Sequence, residues 1–215
     1  MAKVLNPLMS GAARGKVGGI IFNVWRGLAT VKIHKSPAQP RTARQLAVRS
    51  YITTLSRAWA GLTDAQRSAW TDWADLHPVS DWTGTNIRMT GENAYIKLNS
   101  ILLDLGKDAV DTPPSVAGPT SVDGFNCTGS QGQISVAFTP RTGSNETVDI
   151  WLQGPHSPGL IGTLSRARHH SYNPGETSPI VLSNLSPGTY TVWARIVSEV
   201  DGQISTFVSD TAVVS

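Results

Sequence analysis

The spacing of apolar positions divides the chain in two. In "PRTARQLAVRSYITTLSRAWAG", Val48, Ile52, Leu55 and Trp59 recur at helical spacing and predict an amphipathic helix stopped at Gly61. Thr42, with Gln45 three residues on, has the spacing of a capping box. Thr63 and Gln66 repeat the device ahead of Ala69, Trp70, Trp73 and Leu76, and Pro78 ends that helix. A third helix is predicted in "TGENAYIKLNSILLDLG", with Ala94, Leu98, Ile101, Leu102 and Leu105 on one side and Gly106 just past its end. Three short helices with aromatic stripes predict a small three-helix bundle over residues 41–106. Helical spacing assigns their tryptophans to its core rather than to a cofactor.

Residues 107–118 contain Pro113-Pro114 and Gly118, which suit an extended linker. From 119 to 215 the period becomes two. "GQISVAFTP" turns Ile134, Val136 and Phe138 inward, and "TVDIWLQG" turns Val148, Ile150 and Leu152 inward. In "TYTVWARIV" the inward set is Tyr190, Val192, Ala194 and Ile196. Short strands separated by Gly/Pro turns across about 100 residues predict an antiparallel sandwich. The fold class expected is therefore α+β with two domains. The outward positions of the same strands hold Trp151, Trp193 and Arg195, a candidate contact patch if the two strands are neighbours.

Residues 1–40 follow neither pattern. "MSGAARGKVGGIIFNVWRGLATVKIHKSPAQPRT" has glycines at 11, 15, 18, 19 and 27 and a lysine after a glycine. A phosphate loop needs four residues between its glycines and a Ser or Thr after the lysine. Here three residues separate Gly11 from Gly15, and Val17 follows Lys16. A nucleotide site is excluded on that ground. Two β-rich runs, Ile20 to Trp25 and Leu28 to Ile33, flank Arg26-Gly27 and predict a hairpin. A two-stranded piece is not stable alone. It must dock on the chain's own helices or on a neighbouring molecule, and both remain open at this point.

Charge sharpens the contrast between the halves. Residues 1–106 hold 13 Lys/Arg and 6 Asp/Glu, giving +7, and residues 107–215 hold 5 and 9, giving −4. The first acid is Asp64, and ten Lys/Arg precede it. A stretch that basic repels itself unless it meets negative charge. Lys16, Arg26, Lys32, Lys35, Arg41 and Arg44 are the candidate attachment residues. No run of about 18 apolar residues occurs, so no membrane span is expected. "MAKVLNPLMSG" lacks the apolar core of a secretory signal, and the single Cys127 forms no internal disulfide, so folding in a reducing cytoplasm is expected. His34, His77, His156, His169 and His170 form no HExxH or other ligand spacing, and Asp72 with Asp75 suits a solvated helix face. No catalytic, cofactor or metal site is expected, and no enzyme.

Two resemblances add to this. "ISVAFTP" (134–140) and "LSPGTYTVWARIV" (185–197) resemble the second and sixth strands of a fibronectin type III or related immunoglobulin-like domain, although Phe138 stands where that family usually has Trp. The resemblance implies that Tyr190 is a tyrosine-corner residue, and that the strands of Trp151 and Trp193 are neighbours. Residues 9–75, with the glycine-basic-strand opening and "W..LT..QR..W", resemble uncharacterised proteins of tailed bacteriophages and prophages. That resemblance implies a virion structural protein, with a capsid decoration or cementing role favoured over a tail or neck position. The implied partners are other virion proteins, the major capsid protein first, with repeated copies in the particle and a host-surface glycan as a further contact. Residues 55–75 also bear a faint likeness to the middle of an HMG box, so nucleic-acid binding stands as the alternative.

Overall fold

A computed structural model describes residues 2–3, 13–35, 41–80, 84–141, 145–157 and 159–215. The chain forms two compact units, Met1–Gln45 and Leu46–Ser215.

The first unit is a four-stranded antiparallel sheet. Its strands are β1 (Ala2–Lys3), β2 (Gly15–Val17), β3 (Ile20–Trp25) and β4 (Leu28–Ile33), in the order β1-β4-β3-β2. The expected hairpin is present, with Trp25 paired to Leu28 across Arg26 and Gly27. Both turn residues have positive φ, 50° and 79°, as a two-residue type I′ turn requires. A β-carbon on Gly27 would meet nothing within 4 Å, so any cost of adding one is backbone strain alone. Gly27→Ala is expected to weaken the hairpin by about 1 kcal/mol. Amide hydrogen exchange across β3 and β4 measures this, and unchanged protection would show that the turn does not limit the hairpin.

The second unit begins with helices α1 (Ala43–Gly61), α2 (Asp64–Leu76) and α3 (Gly91–Asp104), with a small β5 (Val79–Ser80) and β6 (Asn86–Ile87) pair between α2 and α3. The helix starts are those expected from the caps. Gln45 N–H donates to Thr42 Oγ1 at 3.3 Å. Thr63 and Gln66 complete a reciprocal capping box, and Thr90 caps α3. Gly106 ends α3 at φ 73°, with Lys107 N–H reaching back to the Leu102 carbonyl.

The three-helix bundle is corrected. Trp70, Ala74, Ala94, Tyr95 and Leu98 form a core between α2 and α3, and α1 adds only its C-terminal part, through Leu55 and the half-buried Trp59, with Leu62 just past its end. Leu46, Val48 and Ile52 of α1 are exposed, and so is Leu76 of α2. Helical spacing gives α1 an apolar stripe, but α2 and α3 pack on each other and meet only its last turns.

Residues 107–118 are tied down where an extended linker was expected. The Asn99 side chain is fully buried. Its Nδ2 donates to the Tyr95 and Val110 carbonyls at 3.1 Å, and its Oδ1 accepts from Val110 N–H at 2.6 Å. Trp70 Nε1 donates to the Asp111 carbonyl at 2.8 Å, and Gln203 Nε2 to the Val116 carbonyl at 3.0 Å. Each bond satisfies a polar group that burial would otherwise leave costly.

The last hundred residues form the expected sandwich. One sheet is β7 (Asn126–Ser130), β8 (Gln133–Ala137) and β11 (Ile180–Leu182), ordered β11-β8-β7. The other is β9 (Glu146–His156), β10 (Arg168–Pro174), β12 (Gly188–Ser198) and β13 (Val208–Val214), ordered β10-β9-β12-β13. Ile134, Val136, Phe138, Val148, Ile150, Tyr190, Val192, Ala194 and Ile196 are buried between the sheets, as alternation predicts. Tyr190 Oη donates to the Ser186 carbonyl at 3.0 Å, the geometry of a tyrosine corner. Cys127 is buried in this core, and burial, followed by the Asp210 carboxylate, pushes its thiol up to about 12. A thiol held protonated is a poor nucleophile.

Candidate functional sites: a two-faced basic sheet and a buried charge cluster

The faces of the N-terminal sheet follow from its register. Ile20 pairs with Ile33, Phe22 with Val31, Val24 with Ala29, and Val17 with Ile20. Paired residues share a face. One face is therefore apolar throughout: Val17, Ile20, Phe22, Val24, Ala29, Val31 and Ile33. Val17, Ile20, Val24 and Ile33 are 37–76% exposed. The opposite face carries Lys16, Ile21, Asn23, Trp25, Leu28, Thr30 and Lys32. Arg26 leaves the turn and stacks on Trp25, with its guanidinium carbon 4.9 Å from the ring centroid.

The six candidate attachment residues distribute accordingly. Lys16 and Lys32 are partners of the same residue, Ile21, on the face opposite the apolar one. Arg26 sits at the hairpin tip, Lys35 follows β4, and Arg41 and Arg44 flank the start of α1. Residues 1–45 contain eight Lys/Arg and no Asp or Glu. No carboxylate side chain of this unit can neutralise them. The six candidate attachment residues are all Lys or Arg. The apolar face was missed, and it was readable from Gly27, which fixes the register of the hairpin and so the alternation of both strands.

The second candidate lies on the outer face of the larger sandwich sheet. Trp151 and Trp193 are directly opposite one another in β9 and β12, as expected of neighbouring third and sixth strands. The expectation of an open patch is corrected. Trp193 is buried, and Trp151 is half-buried. The segment after β9 folds back over this end of the sheet. Gly162 N–H donates to Thr191 Oγ1 at 2.9 Å, and Thr163 N–H to Gln153 Oε1 at 2.7 Å. A β-carbon on Gly162 would lie 2.9 Å from the Trp193 ring. Further along the face, Phe207 meets Trp151 edge-on at 6.2 Å.

Asp149 lies at the centre of that face and is fully buried. It pairs in register with Arg195 and with Tyr172. Arg195 Nε donates to Asp149 Oδ2 at 2.8 Å, and Trp151 Nε1 donates to the same oxygen at 2.9 Å. His169 Nε2 lies 3.3 Å from Oδ1, close enough for electrostatic attraction but not aligned as a hydrogen bond. Burial alone would raise this carboxyl. The His169 ring, the Trp151 indole and the Arg195 guanidinium outweigh burial and hold it below the ordinary carboxylate range. Arg195 also stacks on Phe207 at 4.7 Å, and His169 lies against Tyr172 at 4.5 Å. Tyr172 Oη donates to Asp104 Oδ2 of α3 at 2.7 Å, and Lys107 Nζ reaches Glu199 at 2.8 Å. Gly202 leaves no room for a β-carbon against the Leu98 carbonyl. These contacts join α3 to the sheet. The cluster therefore fixes strand register and helix position rather than offering a surface. Among the described residues, no three His, Cys, Asp or Glu side chains group as a metal ion would need. Asp149, His169, Tyr172 and Phe207 were missed, yet Asp149 stands two residues before Trp151 and Arg195 two after Trp193, on one face.

These features define the class. The second half of the chain is an immunoglobulin-like β-sandwich, and its three-plus-four strand order and tyrosine corner agree with a fibronectin type III domain. No protein-family model and no curated protein matches the chain. Among solved structures it is similar to FN3tt, at 17% identity over 46% of this chain and 98% of that one, with a TM-score of 0.36. It is also similar to a family 76 glycoside hydrolase from a bovine Bacteroides thetaiotaomicron strain, at 17% identity over 44% of this chain and 20% of that one, with a TM-score of 0.36. A third is the chicken CNTN1 FN1-FN3 domains, at 13% identity over 48% and 35%, with a TM-score of 0.35.

Proposed function

We propose that the chain is a structural protein of a bacteriophage virion, a capsid decoration protein that docks through its N-terminal sheet and carries the immunoglobulin-like sandwich as a displayed module. The observation that supports this reading is the two-sided chemistry of residues 15–33. One face is apolar and exposed, the other bears Lys16 and Lys32, and the unit has no acid. Apolar area left in water is a standing cost unless a partner covers it. A second copy packed on the apolar face would cover that face but leave Lys16 and Lys32 of both units turned outward with no acid to meet. An acidic protein surface with an apolar groove fits both properties, and the major capsid protein is the partner proposed. The resemblance of residues 9–75 to phage proteins supplies the kind of particle. A basic anchor joined to an acidic module suits a repeated shell site.

The test uses particles purified on a density gradient from the source that encodes the chain. The wild type is expected to co-sediment with them, and a variant lacking residues 2–35 to stay in the soluble fraction. Ile20→Thr with Ile33→Thr keeps β-propensity while removing apolar contact. That pair, and separately Lys16→Glu with Lys32→Glu, is expected to weaken attachment about tenfold or more. The charge pair acts more strongly in low salt, because salt already screens the wild-type contact. Particles that lack the chain, or that take up the truncated form normally, would overturn the reading. Duplex DNA binding with a steep salt dependence would move the partner to nucleic acid.

A further inference from the structure

The acidic half of the chain has two cations left over. Of its five Lys/Arg, Lys107 pairs with Glu199 at 2.8 Å, and Arg195 with Asp149 at 2.8 Å. Arg141 lies 3.2 Å from Glu146 and 3.5 Å from Asp123. Arg166 and Arg168 enter no ion pair among the described residues, and both line one cleft.

The cleft is a consequence of strand lengths. β9 runs to His156, but β10 starts only at Arg168, opposite Leu152. Gln153 to His156 therefore overhang β10, while their other flank stays paired with β12 as far as Thr189. The notch has a volume of about 310 Å³, floored by β9 and walled by the two arginines. No carboxylate lines it. His156 does line it, and its Nε2 is buried without a hydrogen-bond partner. The wall is pre-formed. A single 3-10 turn, Leu164–Arg166, closes through Arg166 N–H to the Thr163 carbonyl, and Thr163 N–H is bonded to Gln153 of β9.

Two guanidiniums beside one notch repel each other unless an anion sits between them. Each guanidinium presents a planar fork that matches a carboxylate or a phosphate. The geometry points to an oxyanion-binding cleft, in which one carboxylate or phosphate group is held by Arg166 and Arg168, with His156 lining the same notch. Its volume suits a ligand of about monosaccharide size. The oxyanion could be a free phosphate or the acid group of a sugar, and the site stands independently of the attachment reading.

The test titrates the full chain, at constant ionic strength, with inorganic phosphate and separately with glucuronic acid, following the His156 ring resonances. A saturable shift is expected with at least one probe, and the tighter probe identifies the source. Arg166 and Arg168 are exposed, so Arg166→Gln with Arg168→Gln is expected to fold normally by circular dichroism. That variant is expected to bind at least about tenfold more weakly, the loss of one or two charge-assisted bonds. No saturable shift with either probe, or equal affinity in the folded double variant, would overturn the proposal.

Discussion

Asp149→Ala is expected to lower the stability of the chain by about 3–5 kcal/mol. The carboxylate is fully buried, and its removal strands three groups at once. Arg195 keeps a charge whose side chain is only 15% exposed, Trp151 loses the acceptor for its indole N–H, and His169 loses its neighbour. Asp149→Leu combined with Arg195→Met removes both charges together and is expected to recover most of the loss, since apolar replacement of a whole buried pair is often neutral. Chemical denaturation of the two variants beside the wild type measures this. A double variant no better than Asp149→Ala would show that the site depends on shape rather than on paired charge. The same group sets an acid limit. Its folded value is depressed below the ordinary unfolded value of about 3.9. Its contribution is therefore fully present above that value and is lost as pH falls through the folded value. Asp149→Asn is expected to flatten the stability profile below about pH 4.

How far the fold was legible depended on whether the deciding partner was local. The hairpin was, because Arg26-Gly27 admits only a two-residue turn and that turn fixes which residues of β3 and β4 face each other. The helix starts were, because Thr63 and Gln66 bond to each other across one turn. The outer face of the larger sheet was legible only by side. Alternation puts Trp151 and Trp193 outside, but the cover over Trp193 comes from Gly162, on a loop with no periodicity of its own. Val48 and Ile52 show the converse error: an apolar stripe states that a helix can be covered, and α2 spends its own apolar face on α3 instead. Residues 107–118 carry the composition of a linker, and what holds them is two buried side-chain amides, Asn99 and Gln203, with the indole of Trp70. A polar residue on a helix face gives no sign in sequence that it will be turned inward and fully bonded.

Trp70→Ala tests whether the helices and the sandwich stand or fall together. Trp70 is fully buried and packs edge-on against Tyr95 at 5.5 Å and Trp73 at 6.1 Å. Truncating a ring in such a site costs about 3–5 kcal/mol. It also strands the Asp111 carbonyl, which accepts from the indole at 2.8 Å. The segment that carries Asp111 leads into the sandwich, and α3 is joined to the sheet through Asp104 to Tyr172 and Lys107 to Glu199. The loss is therefore expected to reach β9 and β12, although Trp70 belongs to the helical core and not to the core of the sandwich. Urea unfolding of the full chain, followed by amide exchange in α3 and in β12, reports the two parts separately. One shared transition that shifts to lower urea in both is the expected result, because Leu46–Ser215 is one compact unit. A β12 that keeps wild-type protection while α3 opens would show that the sandwich folds independently, and that the bonds across residues 104–118 form only after both parts are made.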